Sequence, residues 1–234
     1  MASMRSRNLC LIALLALLIV ASAGCGGSTK KTNGVASKPA DAIVAAAAAA
    51  TNSATSVHVS GTIPENGQLL SIDLHIAGSR GGSGWMAEKG ARADIIRIGS
   101  KAYMKGSAAF WRSFGGKAAA QIFAGRWIMG SATSGNFASL TPLTDLHRFV
   151  GGMLSDHGKL VKGATTTIAG RSVVAITDTA TQGGTLYIAA TGQSYPVQLV
   201  ATGKSAGKLT FDQWNAVVTL TAPKGAIDLK KLAH

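Results

Sequence analysis

The side chain best suited to covalent chemistry is the thiol of Cys25. The 234-residue chain has one other cysteine, Cys10, which lies within the apolar run 9–21. Two arginines precede that run and small residues follow it, which is the three-part pattern of a secretion signal. The run is 13 residues long, whereas a membrane-spanning helix needs about 20. We therefore predict that residues 1–24 are a cleaved signal peptide, which leaves Cys25 at the start of the mature chain.

The residues Ala23-Gly24-Cys25 resemble the lipobox of bacterial lipoproteins, with Ser22 standing where that pattern has leucine. In that family the cysteine thiol receives a diacylglyceryl group and the new amino group can be acylated. A lone cysteine in an exported chain has no intramolecular disulfide partner, so a covalent use of its thiol fits. Two acyl chains anchor a protein far more firmly than one. The resemblance implies lipid attachment at Cys25 and anchoring to the cell membrane, facing outside the cytoplasm. An ordinary secreted protein is the alternative.

Other reactive residue types show no catalytic or metal-binding spacing. Residues 203–207 match the G-x-S-x-G pattern of a serine nucleophile. They join two predicted antiparallel strands, whereas that motif requires a strand leading into a helix. The five histidines lack the spacing of metal ligands and have no cysteine partners. His58 and His75 fall on the polar faces of two predicted strands, where they can be near neighbours. We expect no enzyme activity, no metal and no cofactor.

The mature chain is strongly basic. Without residues 1–24 it keeps 21 of its 23 basic side chains and all 10 acidic ones, a net charge of +11. The basic residues are dispersed, and no helix–turn–helix, zinc-finger or RNP-like signature accompanies them, so we expect no nucleic-acid partner. Two interpretations of the charge stay open. One is attraction to anionic lipid head groups, worth up to about 1 kcal/mol per nearby lysine or arginine; the other is a surface charge that keeps the protein soluble.

The composition changes after the cysteine. Residues 26–38 are mostly glycine, serine, lysine and other small or polar residues, which predicts a flexible tether with a root-mean-square reach of roughly 20 Å. We therefore predict that residues 25–38 are the lipidated cysteine and its flexible tether. The remaining residues, 39–234, are enough for one domain with a sizeable core.

Helices are predicted at the start and in the middle of this domain. An alanine-rich helix is predicted at 39–53. The middle, 106–157, is predicted to hold a short helix at 117–124 and a second helix with Thr141 as its N-cap and an apolar stripe that ends at Leu154. The adjacent glycines 151 and 152 lower the helix propensity of the second helix by roughly 2 kcal/mol, which makes it pliable.

Strands are predicted on both sides of the helical middle. Alternating apolar and polar residues, and short β-rich runs between turn residues, predict them. The predicted strands are 56–63, 69–76, 84–88, 92–98, 101–105, 126–129, 159–164, 165–168, 172–178, 184–189, 196–202, 208–214 and 217–221. The predicted fold class is α+β, with a large, strongly bent antiparallel sheet that holds helices on one face.

A lipobox, a tether, an alanine-rich first helix and a series of short blocks resemble the mycobacterial LppX/LprG lipoproteins and, more distantly, the carrier LolA. The blocks are Ser56–Gly61, 184–188, Tyr195-Pro196, 209–211, Trp214-Asn215 and Ala222-Pro223. In that family an unclosed β-barrel wraps around helices, and the gap between them is an apolar cavity that holds acyl chains. Its members move lipids or lipoproteins across the cell envelope and have no catalytic residues. The resemblance implies the same fold, cavity and carrier function for residues 39–234, with a lipid or an acylated molecule as the ligand. It does not indicate a protein partner.

The large apolar residues of the predicted elements are the candidates for the lining of such a cavity. They are Leu70, Ile72, Leu74, Phe110, Trp111, Phe123, Trp127, Leu146, Phe149 and Met153. Ordinary core packing is the alternative role for each of them. A structural or signalling cell-envelope lipoprotein, which has a filled core and binds a protein or a cell-wall polymer, is the alternative function.

Overall fold

The computed structural model describes residues 31–65, 67–180, 183–201 and 206–232. The predicted signal peptide, Cys25 and the first part of the predicted tether lie outside these ranges, as does most of the G-x-S-x-G match. The described residues form four α-helices and twelve strands. The helices are α1 (Ala40–Ser53), α2 (Ala108–Phe123), α3 (Leu140–Leu143) and α4 (Leu146–Ser155). The strands are β1 (Val57–Glu65), β2 (Gln68–Ala77), β3 (Gly81–Glu88), β4 (Ala91–Ile98), β5 (Lys101–Gly106), β6 (Ile128–Ser131), β7 (Leu160–Ile168), β8 (Arg171–Asp178), β9 (Gly184–Ala189), β10 (Pro196–Ala201), β11 (Lys208–Asp212) and β12 (Ile227–Asp228).

All twelve strands belong to one sheet, in the order β12-β6-β5-β4-β3-β2-β1-β11-β10-β9-β8-β7. Every described pairing is antiparallel except that of β12 with β6, which is parallel. The contact of β1 with β11 joins the early strands to the late ones. The edge strands β12 and β7 do not pair with each other within the described residues, so the sheet is unclosed. The predicted α+β class is confirmed.

Alternation along the strands gives the sheet one apolar face. In β2, Ile72 and Leu74 are at most 1% exposed, while Asp73 between them lies on the other face. Burying such an aliphatic side chain contributes roughly 1.5–3 kcal/mol. The helices cover the apolar face: α2 contacts β4 and β5, whereas α1 contacts α4, β7 and β9. One continuous hydrophobic core includes residues from α1, α2, α4 and both halves of the sheet.

The second predicted helix is two helices, because the chain breaks at Thr144 and Asp145. The Thr144 hydroxyl donates to the carbonyl of Leu140 at 2.6 Å, which ends α3. Asp145 has an extended backbone, and its carboxylate accepts a hydrogen bond from the Arg148 N–H at 3.1 Å. The N-cap of the long apolar helix is therefore Asp145, and the prediction of Thr141 in that role is wrong.

Two further segments differ from the sequence prediction. Helix α2 begins at Ala108, where the Ser107 hydroxyl accepts from the Phe110 N–H, and it kinks at Gly115-Gly116. Residues 217–221 form no strand. Because β11 already has neighbours on both edges, the chain after it cannot add beside it; the chain instead reaches the far edge of the sheet and pairs there as β12.

The folded part of the chain begins before Pro39. The Asn33 side-chain amide donates to the carbonyls of Ala189 and Gly192, both at 3.0 Å. Val35 is 1% exposed and belongs to the core. Residues 32–38, which the sequence analysis assigned to the tether, thus contact the domain. None of the four α-helices in the described residues combines the length and the apolar character needed to cross a bilayer.

Candidate ligand-binding cavity

A cavity of about 610 Å³ lies between α4 and strands β7 to β11. Cavities that bind small molecules typically measure about 300–1,000 Å³. Of its 21 lining residues, 14 are apolar, three are glycines and four carry polar or charged side chains. The lining residues are Val44, Pro64, Pro142, Arg148, Phe149, Val150, Gly152, Met153, Leu154, Asp156, His157, Leu160, Ile176, Asp178, Gly183, Gly184, Leu186, Pro196, Leu199, Ala201 and Phe211.

The sheet side of the cavity is a row of aliphatic side chains that runs across neighbouring strands. Ile176 of β8 lies opposite Leu186 of β9, which in turn lies opposite Leu199 of β10. Adjacent strands are about 4.8 Å apart, so the row extends roughly 10 Å across the sheet. Phe211 of β11 lines the cavity beside this row and is 1% exposed. The row is an apolar wall that runs perpendicular to the strands.

The helix side of the cavity is the apolar stripe of α4. Phe149 and Met153 are one helical turn apart and both line the cavity. Gly152 lines it as well, and a Cβ atom built on Gly152 would meet no atom within 4 Å. Gly152 is exposed, so a larger side chain at this position has room to extend over the mouth of the cavity. A Cβ on the neighbouring Gly151 would also meet nothing, but Gly151 does not line the cavity.

The polar lining residues are Arg148, Asp156, His157 and Asp178, and the first three are exposed, so the cavity opens to solvent beside them. Asp178 accepts hydrogen bonds from the N–H groups of Ala180, at 2.9 Å, and Gly158, at 3.1 Å. These two bonds lower the pKa of Asp178, and the nearby His157 lowers it further. The ionised carboxylate holds the link between α4 and β7 against the end of β8.

The N-terminal end of α4 is fixed by a buried cation. Arg97 of β4 is 5% exposed, and its guanidinium donates at 2.7 Å to both the hydroxyl and the carbonyl of Thr144. It also donates to the carbonyls of Gly99, at 3.1 Å, and Ser79, at 3.2 Å. Burial lowers the pKa of Arg97, and the Asp145 carboxylate, 4.0 Å away, partly offsets that effect.

A backbone contact reinforces this attachment. The Leu146 N–H, at the first residue of α4, donates to the carbonyl of Gly78 at 3.1 Å. Gly78 follows directly after β2, so α4 starts at a fixed point on the connection between β2 and β3. The cavity-lining residues of α4 follow these bonds and lie between Arg148 and Leu154.

Most of the predicted lining residues lie in one hydrophobic core, but only two of them line the cavity. Phe149 and Met153 line the cavity. Seven others lie in the same hydrophobic core or pack against it without lining the cavity: Leu70, Ile72, Leu74, Phe110, Trp111, Phe123 and Leu146. Trp127 lies outside this core, with the Lys105 ammonium 5.3 Å from the centre of its ring.

The residues that the sequence analysis missed are on the sheet side. The wall formed by Ile176, Leu186 and Leu199 was not predicted, although the strands that carry it were. Periodicity indicates which face of a strand is apolar, but not which strands a helix leaves partly uncovered. Gly152 was recognised for its effect on helix propensity and not as a lining residue.

Comparison with known proteins identifies the fold. No protein-family model matches the chain, and a search of the curated proteins finds no match. LprF from Mycobacterium bovis matches with a TM-score of 0.59 at 17% identity, over 80% of this chain and 97% of LprF. The lipoprotein LppX from Mycobacterium tuberculosis matches with a TM-score of 0.55 at 20% identity, over 78% of this chain and 98% of LppX.

The chain has the fold of LprF and LppX. The resemblance to LppX-like lipoproteins that the sequence motifs indicated is therefore confirmed at the level of fold. The matches span nearly the full length of both solved chains, so the correspondence is with the whole domain.

The attachment of α4 predicts an unequal effect of two arginine substitutions in β4. Arg97→Met removes the buried donor to Thr144, Gly99 and Ser79. Hydrogen bonds to a charged group contribute about 1.5–3 kcal/mol each. We expect Arg97→Met to lower the free energy of unfolding by at least roughly 2 kcal/mol. Arg92→Met is the control, because Arg92 is 52% exposed and pairs with Asp94 on the other face of β4; we expect it to lose about 1 kcal/mol or less. Urea denaturation measures both, and equal losses would contradict the account.

Proposed function

We propose that this protein is a membrane-anchored lipoprotein that binds acyl chains in the cavity between α4 and strands β7 to β11. In this proposal it carries a lipid or an acylated protein across the cell envelope. The observation that carries the proposal is the open, mostly apolar cavity within an LppX-like fold. The same open volume favours a carrier over the alternative of a structural or signalling lipoprotein with a filled core.

The chemistry of the cavity suits an acyl chain. Each methylene group transferred from water to an apolar surface contributes about 0.8 kcal/mol, so a chain laid along the row Ile176, Leu186 and Leu199 would gain several kcal/mol. Phe149 and Met153 would cover it from the helix side. The four polar residues of the lining lie where a polar end of the same ligand would meet solvent. Arg148 and His157 can pair with anionic groups there, and Asp156 and Asp178 with cationic ones.

The attachment of α4 indicates how a ligand would enter. The N-terminal end of the helix is bonded to β4 and to the β2–β3 connection, through Arg97 and Leu146. The C-terminal half contains Gly151 and Gly152, which lower its helix propensity by roughly 2 kcal/mol relative to alanine. Under the proposal, the helix bends at these glycines and moves away from β9 and β10, between its fixed N-terminal end and the link that Asp178 holds against β8.

Few residues separate the proposed anchor from the bonded part of the domain along the sequence. If Cys25 is lipidated, residues 26–31 connect it to Thr32, whose hydroxyl donates to the carbonyl of Ala190. A flexible tether of that length has a root-mean-square reach of roughly 13 Å. The domain would then stay near the lipid head groups, where its net positive charge is favourable.

Filling the cavity from α4 tests the binding site. In Gly152→Phe the new side chain enters open space in the lining, so we expect the dissociation constant for a long-chain fluorescent fatty acid to rise at least about tenfold, or roughly 1.4 kcal/mol. Gly151→Phe is the matched control, since it makes the same change in helix propensity one residue away and outside the lining. A fluorescence titration compares them. Equal affinity in both variants and the parent would place binding elsewhere.

The anchor is tested by fractionation. Cys25→Ala removes the proposed acceptor of the diacylglyceryl group, so we expect the protein to move from the membrane fraction to the soluble or secreted fraction. Cys10→Ala is the control, because Cys10 lies in the predicted signal peptide and would be removed in either case. Immunoblots of separated membrane and soluble fractions give the result. Continued membrane association of the Cys25 variant would show that lipidation is not the anchor.

A further inference from the structure

Four ionisable side chains meet on the polar face of the sheet, opposite the cavity. His58 of β1, Asp73 and His75 of β2, and Asp212 of β11 come together there, because His58 lies directly opposite both His75 and Asp212 in the strand register. On the other face of these strands, Val59 and Leu74 are fully buried. The cluster therefore joins three neighbouring strands in the middle of the sheet.

His58 lies between two carboxylates. Its Nδ1 is 2.6 Å from Asp212 Oδ1, and its Nε2 is 3.2 Å from Asp73 Oδ1. The His58 side chain is 14% exposed, so bulk water contributes little to these contacts. The His75 ring stacks on the His58 ring, with 4.3 Å between the two centres.

A neutral imidazole satisfies only one of these two contacts. With a proton on Nδ1, His58 donates to Asp212, and the lone pair of Nε2 then faces a carboxylate oxygen of Asp73. Two electron pairs at 3.2 Å repel each other unless a positive charge lies between or beside them. A bound cation would supply that charge.

The arrangement around Nε2 is that of a ligand set for a metal ion. One ligand atom each from His58, Asp73 and His75 lies within 4.8 Å of the other two. A tetrahedral Zn²⁺ with bonds of about 2.0–2.1 Å holds its ligand atoms roughly 3.4 Å apart, so His58 and Asp73 are already at that spacing. All three side chains are half-buried rather than enclosed, so a metal ion can reach them from solvent.

Asp212 supplies the outer support that such sites have. A histidine that binds a metal through one ring nitrogen usually donates its other N–H to a carboxylate, which fixes the tautomer and orients the ring. The contact of Asp212 with Nδ1 of His58 has this geometry. In the tautomer with its proton on Nδ1, His58 presents the lone pair of Nε2 on the side of Asp73.

We propose that His58, His75 and Asp73 bind a divalent transition-metal ion of the Zn²⁺ type, with Asp212 orienting His58 and water completing the coordination. Two imidazoles and one carboxylate suit Zn²⁺, whereas Mg²⁺ and Ca²⁺ prefer sites made of oxygen ligands. Because the ligands come from β1 and β2 and the supporting carboxylate from β11, the bound ion would connect the two halves of the sheet. This proposal does not depend on lipid binding.

Calorimetric titration of the full chain with zinc chloride tests the proposal. The protein is purified without a histidine tag, and magnesium chloride serves as the control ion. We expect one zinc ion per chain bound through this cluster and no magnesium binding. His75→Ala should abolish this binding, and Asp212→Asn should weaken it about 10–100-fold. His147→Ala, which changes an exposed histidine of α4, should leave it unchanged.

Two controls keep the result interpretable. Circular dichroism of the metal-free variants shows whether they fold, and His75→Gln replaces His75→Ala if the latter does not. Any zinc held by a cysteine thiol is common to the parent and all variants, so only the difference between them is used. Absence of zinc binding by the parent would overturn the proposal. Equal zinc binding by the parent and the His75 variants would also overturn it.

Discussion

The buried guanidinium of Arg97 determines where α4 lies, and the cavity depends on α4. A buried charge is unfavourable unless its donors are paired. Arg97 meets this requirement with two hydrogen bonds to Thr144 and two to backbone carbonyls around the β2–β3 and β4–β5 connections. The two bonds to Thr144 lie at the break between α3 and α4. One cation on the inner face of β4 thereby sets the start and the direction of the helix that covers the other half of the sheet.

Small residues leave the space beneath that helix unfilled. The helix α1, which packs against α4, is mostly alanine, and Ala47 is fully buried. Gly152 presents no side chain to the cavity, and Gly183 and Gly184 line its sheet side. A Cβ atom at Gly183 or Gly184 would clash with the backbone of Asp178 or Val200, so close packing of the strands excludes side chains at these two lining positions. The cavity thus has little side-chain volume on this part of its lining.

Local patterns in the sequence predicted most of the elements but not their long-range arrangement. Alternation located β1 to β5 and β8 to β11 because each strand buries one face. It did not show that α4 lies over β8 to β10 rather than β2, so Leu70, Ile72 and Leu74 were assigned to the cavity although they are core residues. The role of Arg97 was not predicted either, because the local sequence does not distinguish a buried arginine from an exposed one.

The cluster on the polar face of the sheet was also only partly predictable from local sequence patterns. The period of two placed His58 and His75 on polar faces, and the structure confirms that they are neighbours. Asp212 is 154 residues further along the chain than His58, and only the pairing of β1 with β11 brings it into contact. Strand register over such a separation depends on the whole sheet, so the complete cluster was beyond what periodicity can predict.

The central claim is that the space between α4 and strands β8 to β10 holds acyl chains. The most direct measurement is organic extraction of the purified, non-delipidated protein, followed by mass spectrometry of the extract and quantification against protein. The account predicts an acylated compound close to one molecule per chain, and a smaller amount in a parallel extract of Gly152→Phe. An extract of the parent protein that contains no acylated compound would contradict it.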